Sequence, residues 1–162
     1  MPPRRRPAPV PAGSRPTAGR RHVVFALAGV PYLLDASQVR RSLPAPASAA
    51  AEVLFLGEAY PLVDLRALFR LPESTAPARL VLLVQATSGR AGLVVDELLE
   101  LAVIDETVVV PLPAPFQGVE RLWFAGLVRL RGRVVVLLRL EAILGAHAIL
   151  PPARPPRAVA VQ

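Results

Sequence analysis

The side chains that could act as general acids, general bases or metal ligands are twelve carboxylates and two histidines; there is no cysteine to add a thiolate. His22 and His147 stand at opposite ends of the central sequence, without a metal-type spacing between them. Each reads as an exposed or capping histidine. The carboxylates are scattered, and several fall where a strand ends. There a short acid commonly accepts from free backbone N–H groups. Asp96, Glu97 and Glu100 are the closest grouping. They could hold a cation in principle, but a solvated acidic edge accounts for them more simply. "GRAG" at 89–92 lacks a following lysine and opens a strand, so it is not a phosphate loop. No catalytic set, no metal site and no cofactor site follows from these residues.

One acid has a more definite setting. In "EAYPLVDLRALF", 58–69, a short strand pattern hands over to a helical one at Asp64. The first N–H groups of a helix lack partners, and an aspartate at that junction accepts one of them and suits the positive end of the helix dipole. Asp64 therefore reads as an N-cap. Arg66 is expected to project from the first turn toward solvent or a partner.

The elements around these residues are mostly strands. Short, β-branched, apolar runs cover 22–29, 30–36, 51–57, 59–63, 79–86, 91–97, 98–104, 107–112, 123–130 and 133–140. Turn chemistry separates them: Gly29, "TSGR" at 87–90 and "RG" at 131–132. Several runs are apolar at every position, which predicts strands covered on both faces. Strands at roughly ten-residue spacing suggest small antiparallel barrels. Helices are predicted at 64–69, at 140–147 (with Leu140, Ile143 and Leu144 inward and Gly145 ending it) and at 36–43. A strand pair, a second strand pair and a short helix appear in loose repetition.

The ends differ from the middle. Residues 1–21 and 151–162 hold eight arginines, no acid and ten of the nineteen prolines. With little apolar surface to bury, both read as disordered or polyproline-like tails around a domain at 22–150. The middle has eleven arginines against twelve acids, so the basic character belongs to the tails. Aromatic residues are only 5% of the chain, too few for a base-stacking surface. Specific nucleic-acid recognition is not expected; nonspecific contact through the Arg-rich tails is the alternative. No apolar run is long enough for a membrane span, and no signal-type hydrophobic segment follows the first arginines. A cytoplasmic protein is expected.

Four segments, "FALAGVPYLLDASQV" (25–39), "YPLVDLRALF" (60–69), "GLVVDELLELAVI" (92–104) and "FAGLVRLRGRVVVLLRLEAIL" (124–144), resemble the CheW-like family in the family's order. The resemblance implies a mainly β fold of two intertwined five-stranded SH3-like barrels with a few short helices and a third apolar core between them. It also implies no enzymatic activity. Members are signalling adaptors of chemosensory two-component pathways. They bind the cytoplasmic tip of methyl-accepting chemoreceptors through a groove between the sub-barrels, and the CheW-like regulatory domain of a histidine kinase end to end. Where members commonly read N-L-R-G, this chain has "LFLG", Leu54 to Gly57; an acid position two residues after Val39 is Arg41. Leu54 and Leu56 are thus either altered partner-surface positions or core strand residues. The resemblance places Val39, Arg41, Leu54, Leu56 and Gly57 at the receptor-like groove. Exposed residues around Val63, Arg66 and the hairpin at 129–133 are the candidates for barrel-to-barrel contact. A divergent scaffold that has lost receptor or kinase coupling is the alternative within the family.

Overall fold

The computed structural model describes residues 19–47, 50–72, 79–113, 118, 120–149 and 159–161. The strands are β1 (Arg20–Leu27), β2 (Val30–Asp35), β3 (Val39–Pro44), β4 (Glu52–Phe55), β5 (Glu58–Asp64), β6 (Leu80–Ala86), β7 (Gly89–Val95), β8 (Glu97–Ile104), β9 (Phe124–Leu130), β10 (Arg133–Leu138) and β11 (Val159–Val161). The helices are α1 (Leu65–Leu68), α2 (Glu120–Trp123) and α3 (Leu140–Ile149).

Two sheets result, in the orders β8-β1-β2-β10-β9 and β11-β4-β5-β7-β6-β3. Without β11 the two have the same layout. Each is an edge strand, then two antiparallel hairpins joined by a central parallel pair, β2 with β10 in one and β5 with β7 in the other. In each, a helix follows the strand that enters the parallel pair from the second hairpin: α1 after β5, α3 after β10. The loose repetition in the sequence is therefore a spatial repeat, run in circularly permuted chain order. The second sheet's strands β3 to β7 are contiguous in the chain and lie between β2 and β8, so the first sheet closes around an inserted one.

Three apolar clusters fill the molecule. One lies within the first barrel (Val24, Leu33, Ala102, Ile104, Val128, Val135). A second lies within the other barrel (Leu43, Val53, Phe55, Tyr60, Val81, Leu83). The third joins them and is the largest, with 19 buried members among the described residues against six in each barrel. The strands apolar at every position supply two clusters at once. In β6, Val81 and Leu83 face their own barrel while Leu82 and Val84 face the joint. In β1, Val24 turns one way and Val23 and Phe25 the other. Period-two alternation explains this, since successive side chains leave a strand on opposite faces. Phe69, just past α1, sits 5.5 Å from Trp123 and 5.3 Å from Phe124 between ring centroids, bringing aromatic rings of both halves together at the joint.

Several expectations change. The 36–43 segment is not a helix: Ala36–Gln38 make one 3-10 turn, capped by Asp35 accepting from the Ser37 amide at 2.9 Å, and the chain then extends into β3. Pairing with β6 prevails over the local helical pattern. The strand expected at 107–112 is a 3-10 turn at Glu106–Val108 and a single bridge from Val110 to Leu127; Pro111 follows at once and has no N–H for a ladder. A short helix, α2, precedes β9 where a strand start was expected. α3 runs through Gly145 to Ile149, and its inward residues Leu140, Ile143 and Leu144 are buried as predicted. His22 is buried, with Nδ1 donating to the Arg20 carbonyl at 3.0 Å, not exposed. Within the C-terminal segment read as a tail, Val159–Val161 forms β11, parallel to β4. In the N-terminal segment read as a tail, Arg20 and Arg21 open β1, paired with Ile104 and Val103 of β8; tail residues 1–18, 151–158 and 162 lie outside the described residues, as does the side chain of His147.

Because the joint holds the largest cluster, neither barrel is expected to fold alone. Leu82→Ala should cost about 3 kcal/mol and leave one cooperative transition. Urea unfolding followed at amides of both sheets by NMR checks this; separate midpoints for the two sheets would contradict it.

Candidate partner-binding surface

A carboxylate–guanidinium network fixes the ends of the joint. Asp64 caps α1 by accepting from the Arg66 amide at 3.0 Å, and its two oxygens also receive the Arg79 guanidinium at 2.9 and 3.0 Å. Arg66 does not project to solvent. Its Nε donates to both oxygens of Asp96 at 2.8 and 3.0 Å, its Nη2 also bonds Asp96, and its Nη1 donates to the Pro72 carbonyl. The Arg66 and Asp96 side chains are 12% and 13% exposed, so this is a sheltered pair and not part of a solvated acidic edge. Asp96 also accepts from the Ala28 amide at 2.8 Å, in the β1–β2 turn of the other sheet. A matching contact runs the opposite way: Glu141 of α3 accepts from the Thr87 and Ser88 amides, at 2.8 and 3.2 Å, in the β6–β7 turn. Each sheet's hairpin turn is thus held by a carboxylate from the other half.

The charges set the protonation. The Arg66 hydrogen bond holds the Asp96 carboxyl below its ordinary value, against a smaller opposing effect of burial. Burial pushes Asp64 upward, but the hydrogen bonds and charge of Arg79, with the Arg66 and Ala67 amides, outweigh it and hold that carboxyl low too. Glu141 is lowered by its Ser88 and Thr87 partners. All three are held as anions doing structural work. Among the described residues no group of three or more metal-ligating side chains converges.

One part of the outer surface is apolar. The edge strands β3 and β8, one from each sheet, flank a groove of about 280 Å³ lined by Val23, Val39, Ser42, Leu82, Leu98, Leu99, Glu100 and Leu101. Beside it the outer strand β8 shows Leu99, Leu101 and Val103, the last two 66% exposed. Aliphatic side chains this open at a sheet edge are unusual for a surface that meets only water. The sequence places a strand at 98–104 but does not say which of its faces is open. The signal that could have separated them is that Leu99, Leu101 and Val103 share one period-two face.

The residues expected at partner surfaces fall into three places. Val39 lines the groove, beside a bulge in β3. Arg41 is exposed and lays its guanidinium over the Phe55 ring at 5.3 Å, while Arg40 reaches Glu58 at 3.7 Å, so β3 touches the β4–β5 hairpin. Leu54 is half-buried in that hairpin; Leu56 and Gly57 form its turn, with φ of 50° and 79°. Leu56 is 83% exposed, so it is not a core strand residue. A leucine in the left-handed region is strained. Val63, by contrast, is buried in the central cluster, and Arg66 is spent on Asp96; neither offers a free surface. In the 129–133 hairpin, Arg129, Arg131 and Arg133 are exposed and Arg131 pairs with Glu100 at 2.6 Å.

The chain matches the family model described as "CheW-like domain" over residues 21–148. Among solved structures it is similar to the scaffolding protein TtCheW from Thermoanaerobacter tengcongensis, at 23% identity and a TM-score of 0.62, over 75% of this chain and 90% of that one. At that identity the likeness speaks for the fold, two SH3-like barrels. No curated protein matches the chain.

Since Asp64 and Asp96 are held below their ordinary value of 3.8, their stabilising contribution is full above that pH and is lost as pH falls through the lower folded values. Asp96→Ala should cost about 2 kcal/mol at neutral pH and flatten the fall in stability below about pH 4. Urea midpoints from pH 7 to pH 2.5 check both; an unchanged acid slope in the variant would remove Asp96 from the account.

Proposed function

The chain belongs to the CheW-like domain family, and from that premise we propose that it is a non-catalytic adaptor. It links the cytoplasmic tip of a chemoreceptor to the CheW-like regulatory domain of a chemosensory histidine kinase. The observation that carries this reading is the apolar groove between the two edge strands, where Val39 meets Leu98, Leu99 and Leu101. A receptor tip is helical, and an amphipathic helix lays its apolar side into such a groove. The carboxylates support the same reading from the other direction. Asp64, Asp96 and Glu141 are each occupied with amides or guanidinium groups of this chain, so they are committed to holding the barrels together.

The β4–β5 hairpin is the second surface. Leu56 holds an exposed apolar side chain out from a strained turn, an arrangement that stability alone disfavours. In this chain the hairpin offers an apolar tip where relatives carry arginine, with Arg40 and Arg41 beside it. It suits a kinase domain whose matching barrel end is apolar and acidic. The reading locates this adaptor in the cytoplasm, where both partners' domains lie; among the described residues no helix is long and apolar enough to cross a membrane.

Two variants separate the surfaces. Leu101→Asp should weaken co-sedimentation with receptor-tip fragments by at least about tenfold and leave kinase-domain binding intact. Leu56→Asn should raise stability by up to about 1 kcal/mol, because asparagine tolerates the left-handed turn, while weakening kinase-domain binding. Well-folded protein that binds neither fragment would sink the proposal.

A further inference from the structure

The outer edge of β4 has an occupant, and that occupant is the chain's own segment Val159–Val161. β11 runs parallel to β4 with Val159 opposite Val53, Ala160 opposite Leu54 and Val161 opposite Phe55. On its other side β4 pairs with β5. Remove β11, and β4 becomes the open edge of the second sheet, with unpaired N–H and C=O groups. We propose that this edge is a strand-accepting site for a short, extended aliphatic segment, and that Val159–Val161 is its resident ligand, occupying it against incoming strands.

Three observations carry this. The pairing is short, three residues, and parallel, the weaker ladder per residue. It is therefore a contact that can exchange. In the sequence the aliphatic residues of β11 follow Pro151, Pro152, Pro155 and Pro156, and proline has no backbone N–H to donate to a ladder. The stretch that pairs is the short aliphatic run Val159–Val161. Finally, the guarded strand leads directly into the turn that displays Leu56. An incoming strand at β4 would meet Leu54 and Leu56 together, so occupancy by β11 and access to the hairpin are coupled.

A tether raises the local concentration of its own strand to roughly millimolar. An external strand of similar intrinsic affinity must compete with that. The proposal is independent of which partners the adaptor serves, since it concerns the edge and its own ligand.

The test uses the full chain. In Val159→Pro/Val161→Pro the terminal segment loses two N–H donors and cannot keep its ladder. The probe is the free hexapeptide of residues 157–162, followed by amide chemical shifts of Val53, Leu54 and Phe55. The variant should exchange the Leu54 amide, which points away from β5, at least about tenfold faster than the unaltered chain, with Val53 and Phe55 held by β5 as internal controls, and bind the peptide at millimolar concentration, with shifts centred on β4. The unaltered chain should require about tenfold more peptide. A second variant, Val159→Asp/Val161→Asp, tests the same release without proline and should behave alike. Equal exchange of the Leu54 amide in all three chains, or failure of both variants, shown folded by their dispersed amide spectra, to bind the peptide, would overturn the proposal.

Discussion

Two small barrels stay together because each holds a turn of the other. Asp96 takes the Ala28 amide across the joint while gripped by Arg66, and Glu141 takes the amides of Thr87 and Ser88 in return. These contacts lie at the margins of the apolar joint, where bare burial fixes distance but not orientation. Hydrophobic contact is non-directional; charged acceptors on named amides are not. Together they tie the two sheets to one another at both hairpin turns.

This arrangement also accounts for three of the carboxylates among the described residues, Asp64, Asp96 and Glu141. A carboxylate that accepts several hydrogen bonds and lies beside a guanidinium is held ionised and held still. General acid–base work needs the opposite, a proton exchanged near the working pH. The interior is aliphatic and aromatic, and what the surface offers is edges, a groove and an exposed leucine.

Much of the fold was legible in the sequence, for a physical reason. Strands apolar at every position announce a doubly covered sheet, and Val81 to Val84 turned out to divide between two clusters. Asp64 was readable as a cap because the change from strand to helix period falls at that residue. The long-range partners were not readable. Nothing local tells Arg66 that Asp96, thirty residues on, will fold beside it, so a paired arginine looked like a projecting one. Val63 looked like a surface candidate because a strand's two faces are equivalent in sequence until a second layer covers one. Segment 36–43 misled for a related reason: β3 exists because β6 is there to pair with. Of the candidate surface, neither the Leu56–Gly57 turn, which fell inside the strand read at 51–57, nor the open face of β8 was located, because both depend on where pairing stops.

The chain order of the sheets bears on how the molecule is made. β2 must pair with β10, Tyr32 beside Val136, across the whole of the inserted barrel. During synthesis the β1–β2 hairpin leaves the ribosome early, with Val23, Phe25 and Leu34 awaiting a cover that arrives in stages. The inserted barrel can complete its own ladder first and offer one wall of that cover; the other wall comes only with the last strands. The nascent protein therefore carries an uncovered aliphatic hairpin for most of its elongation, a state open to misassociation, and the window closes only when β10 and α3 emerge.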